Sequence, residues 1–215
     1  MNALPARIDV RYAIGAVILL HAVGLIAMAG PFAHWFLPLT PINLVLTAGV
    51  MVLFSGPDRR TLTLAFVLGT LGYFVEVLGV WTGRVFGEYS YGEVLGFKLL
   101  NVPLLIGLNW SMLVFAIGVP MARSSMPTWA KVLLSSAMMV GLDGLIEPVA
   151  IHLGFWSWEQ GVIPVQNYLA WGAVSAFFFT LFFLAPVRRE NPVARYVLMA
   201  QVVFFAGLNL LLPVI

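Results

Sequence analysis

The chain has 215 residues, 61% of them hydrophobic and only 9% charged, against about a quarter charged in an ordinary soluble domain. It therefore lacks the polar residues to cover a water-facing surface and reads as a polytopic membrane protein. Its net charge of +2 is no nucleic-acid signature, because the basic residues are scattered between apolar runs, and the absence of cysteine excludes disulfides, thiolate metal sites and a cysteine nucleophile.

A helical span needs about 20 apolar residues, and seven such runs follow one another. The first is expected over residues 12–30 and the second over 37–54, the latter weakened by Pro38, Pro41 and Asn43 near its start. After the charged turn 55–60 the third covers 62–81. A polar, aromatic, glycine-rich segment, 83–98, leads to the fourth over 102–121 and, after a short link, the fifth over 129–151. A second aromatic segment, 154–161, precedes the sixth at 168–187, and the turn 188–192 opens the seventh at 193–214. The run after Arg7 and Arg11 has no clear cleavage site before Pro31, so it is taken as a span rather than a leader. The expected architecture is all-α: a bundle of about seven transmembrane helices forming a single domain over 1–215.

The basic residues divide unevenly between the two ends of the bundle. Arg7, Arg11, Arg59, Arg60, Arg123, Lys131, Arg188, Arg189 and Arg195 fall on one side; Arg84 and Lys98 fall on the other. The positive-inside rule then puts the N-terminus in the cytoplasm, with the protein in the cytoplasmic (inner) membrane.

Three carboxylates interrupt the apolar runs. Asp143 and Glu147 are four residues apart in the fifth run, on one face of a helix. Glu76 sits at a matching depth in the third. Placing an ionised group near the hydrocarbon centre costs roughly 2.5–3.5 kcal/mol on insertion scales, so such residues face a bundle interior or a wet cavity. A catalytic role is one reading. The other is structural, with each carboxyl gluing helices together, Arg84 or Asn109 as its partner. At 1.5 Å per residue Glu76 and Asp143 both lie about 21 Å across the membrane, in its outer third, with Glu147 one turn further out. Pro148 lacks the amide that would bond the Gly144 carbonyl, so a bend is expected beside the acid pair. Gly141 and Gly144 are expected to leave room for a substrate beside Asp143.

The two aromatic segments repeat a pattern. Each follows an acidic span, carries an aromatic-Ser-aromatic triplet (Tyr89-Ser90-Tyr91 or Trp156-Ser157-Trp158), and runs to an asparagine expected to open the next span, Asn101 or Asn167. Two half-sites facing one pocket are expected, with Tyr89, Tyr91, Trp156, Trp158, Asn167 and Trp171 as substrate-binding residues. Interfacial belts also collect Tyr and Trp, and Trp35, Trp81 and Trp129 are assigned to them. His21, His34 and His152 share no ligand spacing, so no metal is expected. The seventh run has no lysine, which excludes a retinal Schiff base there. Gln201 and Asn209 share a helix face and read as helix–helix glue.

The run Glu76-Val77-Leu78-Gly79-Val80-Trp81-Thr82-Gly83 with Phe86-Gly87-Glu88-Tyr89-Ser90-Tyr91-Gly92 resembles the membrane-integral carotenoid hydratases, the bisanhydrobacterioruberin and γ-carotene 1',2'-hydratase type. So do Asp143-Gly144-Leu145-Ile146-Glu147-Pro148-Val149-Ala150, Gly154-Phe155-Trp156-Ser157-Trp158 and Asn167-Tyr168-Leu169-Ala170-Trp171. The resemblance implies addition of water to the terminal double bond of an acyclic carotenoid ψ-end. It further implies a substrate drawn sideways from the bilayer lipids, association with other carotenoid-pathway enzymes, and no cofactor. The chemistry needs a protonated carboxyl, a tertiary cation sheltered by aromatic faces, and a placed water. Asp143 is expected to donate the proton, Glu147 to position the water, and Glu76 to hold the network. The same acid chemistry fits a lycopene-type end-group cyclase, and the same carboxyls fit a carotenoid-binding or proton-coupled transport protein.

Overall fold

A computed structural model describes residues 9–56 and 58–212. Among these, seven helical segments are long and apolar enough to cross a membrane. They are α1 (Val10–Met28); a broken second segment made of α2 (Ala33–Phe36), a 3-10 turn (Leu37–Leu39) and α3 (Thr40–Phe54); α4 (Arg59–Thr82); α5 (Leu105–Ala122); α6 (Thr128–His152); α7 (Val165–Leu184); and α8 (Ala194–Leu211). The weakness expected around Pro38 and Pro41 is where the second segment breaks into short turns. The residues beyond Leu212 in the expected seventh span, to Val214, lie outside the described residues.

α5 forms the centre. It packs against α3, α4, α6, α7 and α8, and every residue from Trp110 to Val119 is buried. That follows from its composition: a helix apolar on all faces has no side to offer water and is taken into the interior. α4 lies close against α5 because glycines remove the side chains between them. A Cβ on Gly107 would meet the Gly69 carbonyl oxygen at 2.6 Å, and one on Gly72 would meet Trp110 Cβ at 2.6 Å. Small residues of this kind let membrane helices approach without a hydrophobic drive between them. The buried positions of α4 include Leu68, Gly72, Glu76 and Gly79, a helical stripe that sets Glu76 one turn beyond the tightest contact.

Two small antiparallel pairings cap one end of the bundle. β1 (Tyr89–Tyr91) pairs with β4 (Trp156–Trp158). β2 (Lys98–Leu99) pairs with β3 (Val102–Pro103) through a turn whose central residues, Leu100 and Asn101, both have positive φ, 52° and 63°. Left-handed backbone at both central positions is the geometry of a two-residue hairpin turn, which asparagine tolerates well. Asn101 is thus an exposed turn residue and does not open a span; the fourth helix begins at Leu105. The parallel drawn between Asn101 and Asn167 fails for this reason.

Two further expectations concern α6. α6 continues as helix through Pro148 to His152, so the proline does not end the helix beside the acid pair. Gly141 and Gly144 are exposed on α6 while Asp143 is buried, so they clear no space beside it.

Candidate active site

Glu76 lies six residues before the end of α4, and Glu147 five before the end of α6. Both are buried, and both point at the aromatic cap. α4 stops at Gly83, whose φ of 62° closes the helix with a bond from its amide to the Gly79 carbonyl, the usual left-handed stop. The chain then turns back over the helix end as β1. α6 gives way to β4 in the same manner through Gly154, φ 72°.

β1 and β4 pair in register, Tyr89 opposite Trp158, Ser90 opposite Ser157 and Tyr91 opposite Trp156. Backbone bonds from Gly92 to Phe155 and from Glu159 to Glu88 extend the ladder at both ends. Strand alternation turns the serines outward and both aromatic pairs toward the bundle. Each triplet then serves the carboxylate of its own preceding helix. The hydroxyls of Tyr89 and Tyr91 donate to Glu76 Oε2 at 2.6 and 2.9 Å. The indole N–H groups of Trp156 and Trp158 donate to Glu147 Oε2 at 3.0 and 2.8 Å.

The remaining oxygens differ. Glu76 Oε1 accepts from Trp110 Nε1 at 2.9 Å. Glu147 Oε1 receives only a long contact, 3.4 Å, from Asn167 Nδ2, which also donates to Asp143 Oδ2 at 2.8 Å. Asp143 Oδ1 is buried with no hydrogen-bond partner. No lysine or arginine lines the cavity between these groups, so N–H and O–H donors alone offset the burial of the carboxyls. Hydrogen bonds to a charged group contribute about 1.5–3 kcal/mol each, and Glu76 receives three. Burial, and then the nearby Glu76, push the Tyr89 and Tyr91 hydroxyls up from the ordinary tyrosine value, so both remain donors.

A chamber of about 40 Å³ lies between Glu76 and Glu147, walled by Trp110, Trp156, Trp171 and Asn109 among others. That is room for about one or two waters. Through Ile106, Asn109, Ile146 and Trp156 the chamber adjoins a much larger apolar cleft of about 360 Å³ between α1, α3, α5 and α8. Asp143 is not among the residues lining the chamber; it stands behind Glu147, tied to it through Asn167.

All nine residues singled out in the sequence as site residues therefore meet at one end of the bundle. Arg84 contributes no side-chain contact to the carboxyls. Trp110 was missed. It stacks on Trp171, with ring centroids 4.2 Å apart, and its signal was a tryptophan well inside an apolar run rather than at its edge. Trp35, Trp81 and Trp129 are exposed. His152, at the end of α6, makes no hydrogen bond to the site. His21 and Gln201 bond each other at 3.2 Å between α1 and α8, and Asn209 bonds the Leu145 carbonyl of α6.

Fold and site together define a polytopic membrane protein with a carboxylate-lined chamber opening on an apolar cleft. Residues 39–214 match the family described as carotenoid biosynthesis protein, and the chain belongs to that family. It is 30% identical over 187 aligned residues to the bisanhydrobacterioruberin hydratase of Haloarcula japonica, an alignment taking in 79% of this chain and 62% of that protein. The chain thus matches less than two thirds of that relative's length. No solved structure matches it.

Proposed function

We propose that the chain adds water across the terminal double bond of an acyclic carotenoid ψ-end, giving a tertiary alcohol. One observation carries the reading: two carboxyls face each other across a small aromatic chamber, free of basic residues, that adjoins an apolar cleft. The relative's name, a hydratase, supports it.

The polyene lies in the cleft with only its tip at the chamber mouth. Glu147 protonates the terminal alkene; a C–H bond forms as the carboxyl O–H breaks, leaving a tertiary cation beside the rings of Trp156 and Trp171. Each aromatic face offers a cation about 0.5–2 kcal/mol. Water attacks the cation, its oxygen forms the C–O bond, and its proton passes to Glu76. The proton returns to Glu147 through water in the chamber before the next turnover. From sequence the donor is expected to be Asp143. Its position behind the chamber wall favours Glu147 as the delivering group, with Asp143 and Asn167 positioning it. Cyclisation instead requires an internal alkene to fold over the cation and leaves the mass of the pigment unchanged.

Expression in a lycopene-producing host tests the reading. The expected pigment has gained one water per modified end; a ring product of unchanged mass, or no change, contradicts it. The distribution of basic residues puts the site at the outer face of the membrane. A reporter fused after Ile215 should be active outside the cytoplasm, and activity inside overturns that orientation.

A further inference from the structure

Hydration consumes one water per turnover, and the apolar cleft is poorly suited to supply it. During turnover the cleft holds the polyene, and its walls offer water few partners. On the other side of the β1–β4 pair lies a different space, a vestibule of about 470 Å³ lined by Thr82, Gly83, Glu88, Ser90, Ser157 and Glu159. Tyr89 lines both this vestibule and the 40 Å³ chamber. None of the four residues shared by chamber and cleft, Ile106, Asn109, Ile146 and Trp156, lines the vestibule.

Resting on the hydration reading, we propose that water reaches the chamber from the side opposite the hydrocarbon, through this polar vestibule, with the side chain of Tyr89 as the gate. Tyr89 is the one residue common to the linings of the two spaces. Tyr89 is only half-buried, packs against Trp158 at a centroid distance of 5.2 Å, and is anchored at its tip by the 2.6 Å bond to Glu76 Oε2. Gly79 keeps the helix clear of that tip: a Cβ at this position would lie 2.9 Å from the Tyr89 hydroxyl and 2.7 Å from Phe86. A water that displaces the hydroxyl takes over its bond to Glu76, the carboxylate that later receives the water's proton. Hydrocarbon and water then meet at the cation from opposite sides without sharing a route. Bulk water is held back from the cation until the ring moves.

The chain has no cysteine, so Ser157→Cys supplies a unique thiol in the vestibule for methanethiosulfonate reagents of graded size. The methyl adduct should retain hydration to within about twofold. A benzyl or trimethylammonium-ethyl adduct should lower it about tenfold or more, while the absorption band of the bound polyene stays unchanged. The same bulky adducts on Gln160→Cys, in the neighbouring turn, should have no effect. Ser90→Cys, whose hydroxyl oxygen stands 3.4 Å from that of Ser157, replaces Ser157→Cys if the latter does not accumulate. Complete bulky labelling with undiminished hydration overturns the route, as does an equal loss at Gln160→Cys. If the unlabelled protein forms no alcohol at all, the hydration reading itself fails and takes the water route with it.

Discussion

The α4–β1 and α6–β4 halves of the site share a scaffold but not a chemistry. In each, a carboxyl near the end of a long helix is held by both aromatics of the strand that follows. At Glu76 the donors are phenol hydroxyls, with one indole on the second oxygen. At Glu147 they are indoles, both on one oxygen, and the second oxygen is held only by a 3.4 Å contact. A phenol can give a proton and accept one; an indole N–H can only donate. Glu76 therefore sits in a network that can pass protons, and it suits a base whose proton must leave again. Glu147, which lines the chamber, is fixed by groups that cannot take its proton.

The carboxyls carry the largest expected effects. Glu147→Gln should lower hydration about a thousandfold, within the range of general acid–base contributions, with protein level unchanged. Glu76→Gln and Asp143→Asn should each cost about a hundredfold. A larger loss in Glu76→Gln than in Glu147→Gln exchanges the two roles, and three active amides return all the carboxyls to structural duty. The donors come next. Tyr89→Phe should slow turnover about tenfold, and Trp158→Phe only a few-fold while lowering the thermal midpoint, since it leaves one oxygen of the buried Glu147 carboxyl short of a donor. Equal kinetic losses in the two variants would erase the distinction between the halves.

Alkaline pH separates the halves at the level of stability. The Tyr89 and Tyr91 hydroxyls are raised above the ordinary tyrosine value by burial and by Glu76. Above about pH 10 the unfolded chain releases these protons while the folded chain keeps them. Stability is therefore unaffected by them below pH 10 and falls above it. Thermal unfolding from pH 8 to 11 should show that fall, reduced in Tyr89→Phe and unchanged in Trp158→Phe.

The seven spans are legible because apolar runs of bilayer length have no other use in a chain this poor in charge. Glu76, Asp143 and Glu147 stand out for the converse reason: an ionisable group in such a run needs partners. The aromatic triplets are legible as a repeat, but their pairing is not. Ser90 and Ser157 are 67 residues apart, and nothing local in two three-residue strands specifies a partner at that distance. Asn101 shows the limit of arguing from a repeat. It has the same place in the pattern as Asn167, yet one closes a hairpin turn and the other bridges two carboxyls. Trp110 and the apolar cleft depend on how α5 rotates against α4 and α8, which a helix apolar on every face does not reveal.

One isotopic measurement tests the central claim most directly. The protein, supplied with an acyclic ψ-end carotenoid in D2O enriched in oxygen-18, should give an alcohol that carries the heavy oxygen on its tertiary carbon and one deuterium on the adjacent carbon. A product whose hydroxyl oxygen does not come from water, or whose adjacent carbon carries no deuterium, contradicts protonation and water capture in this chamber.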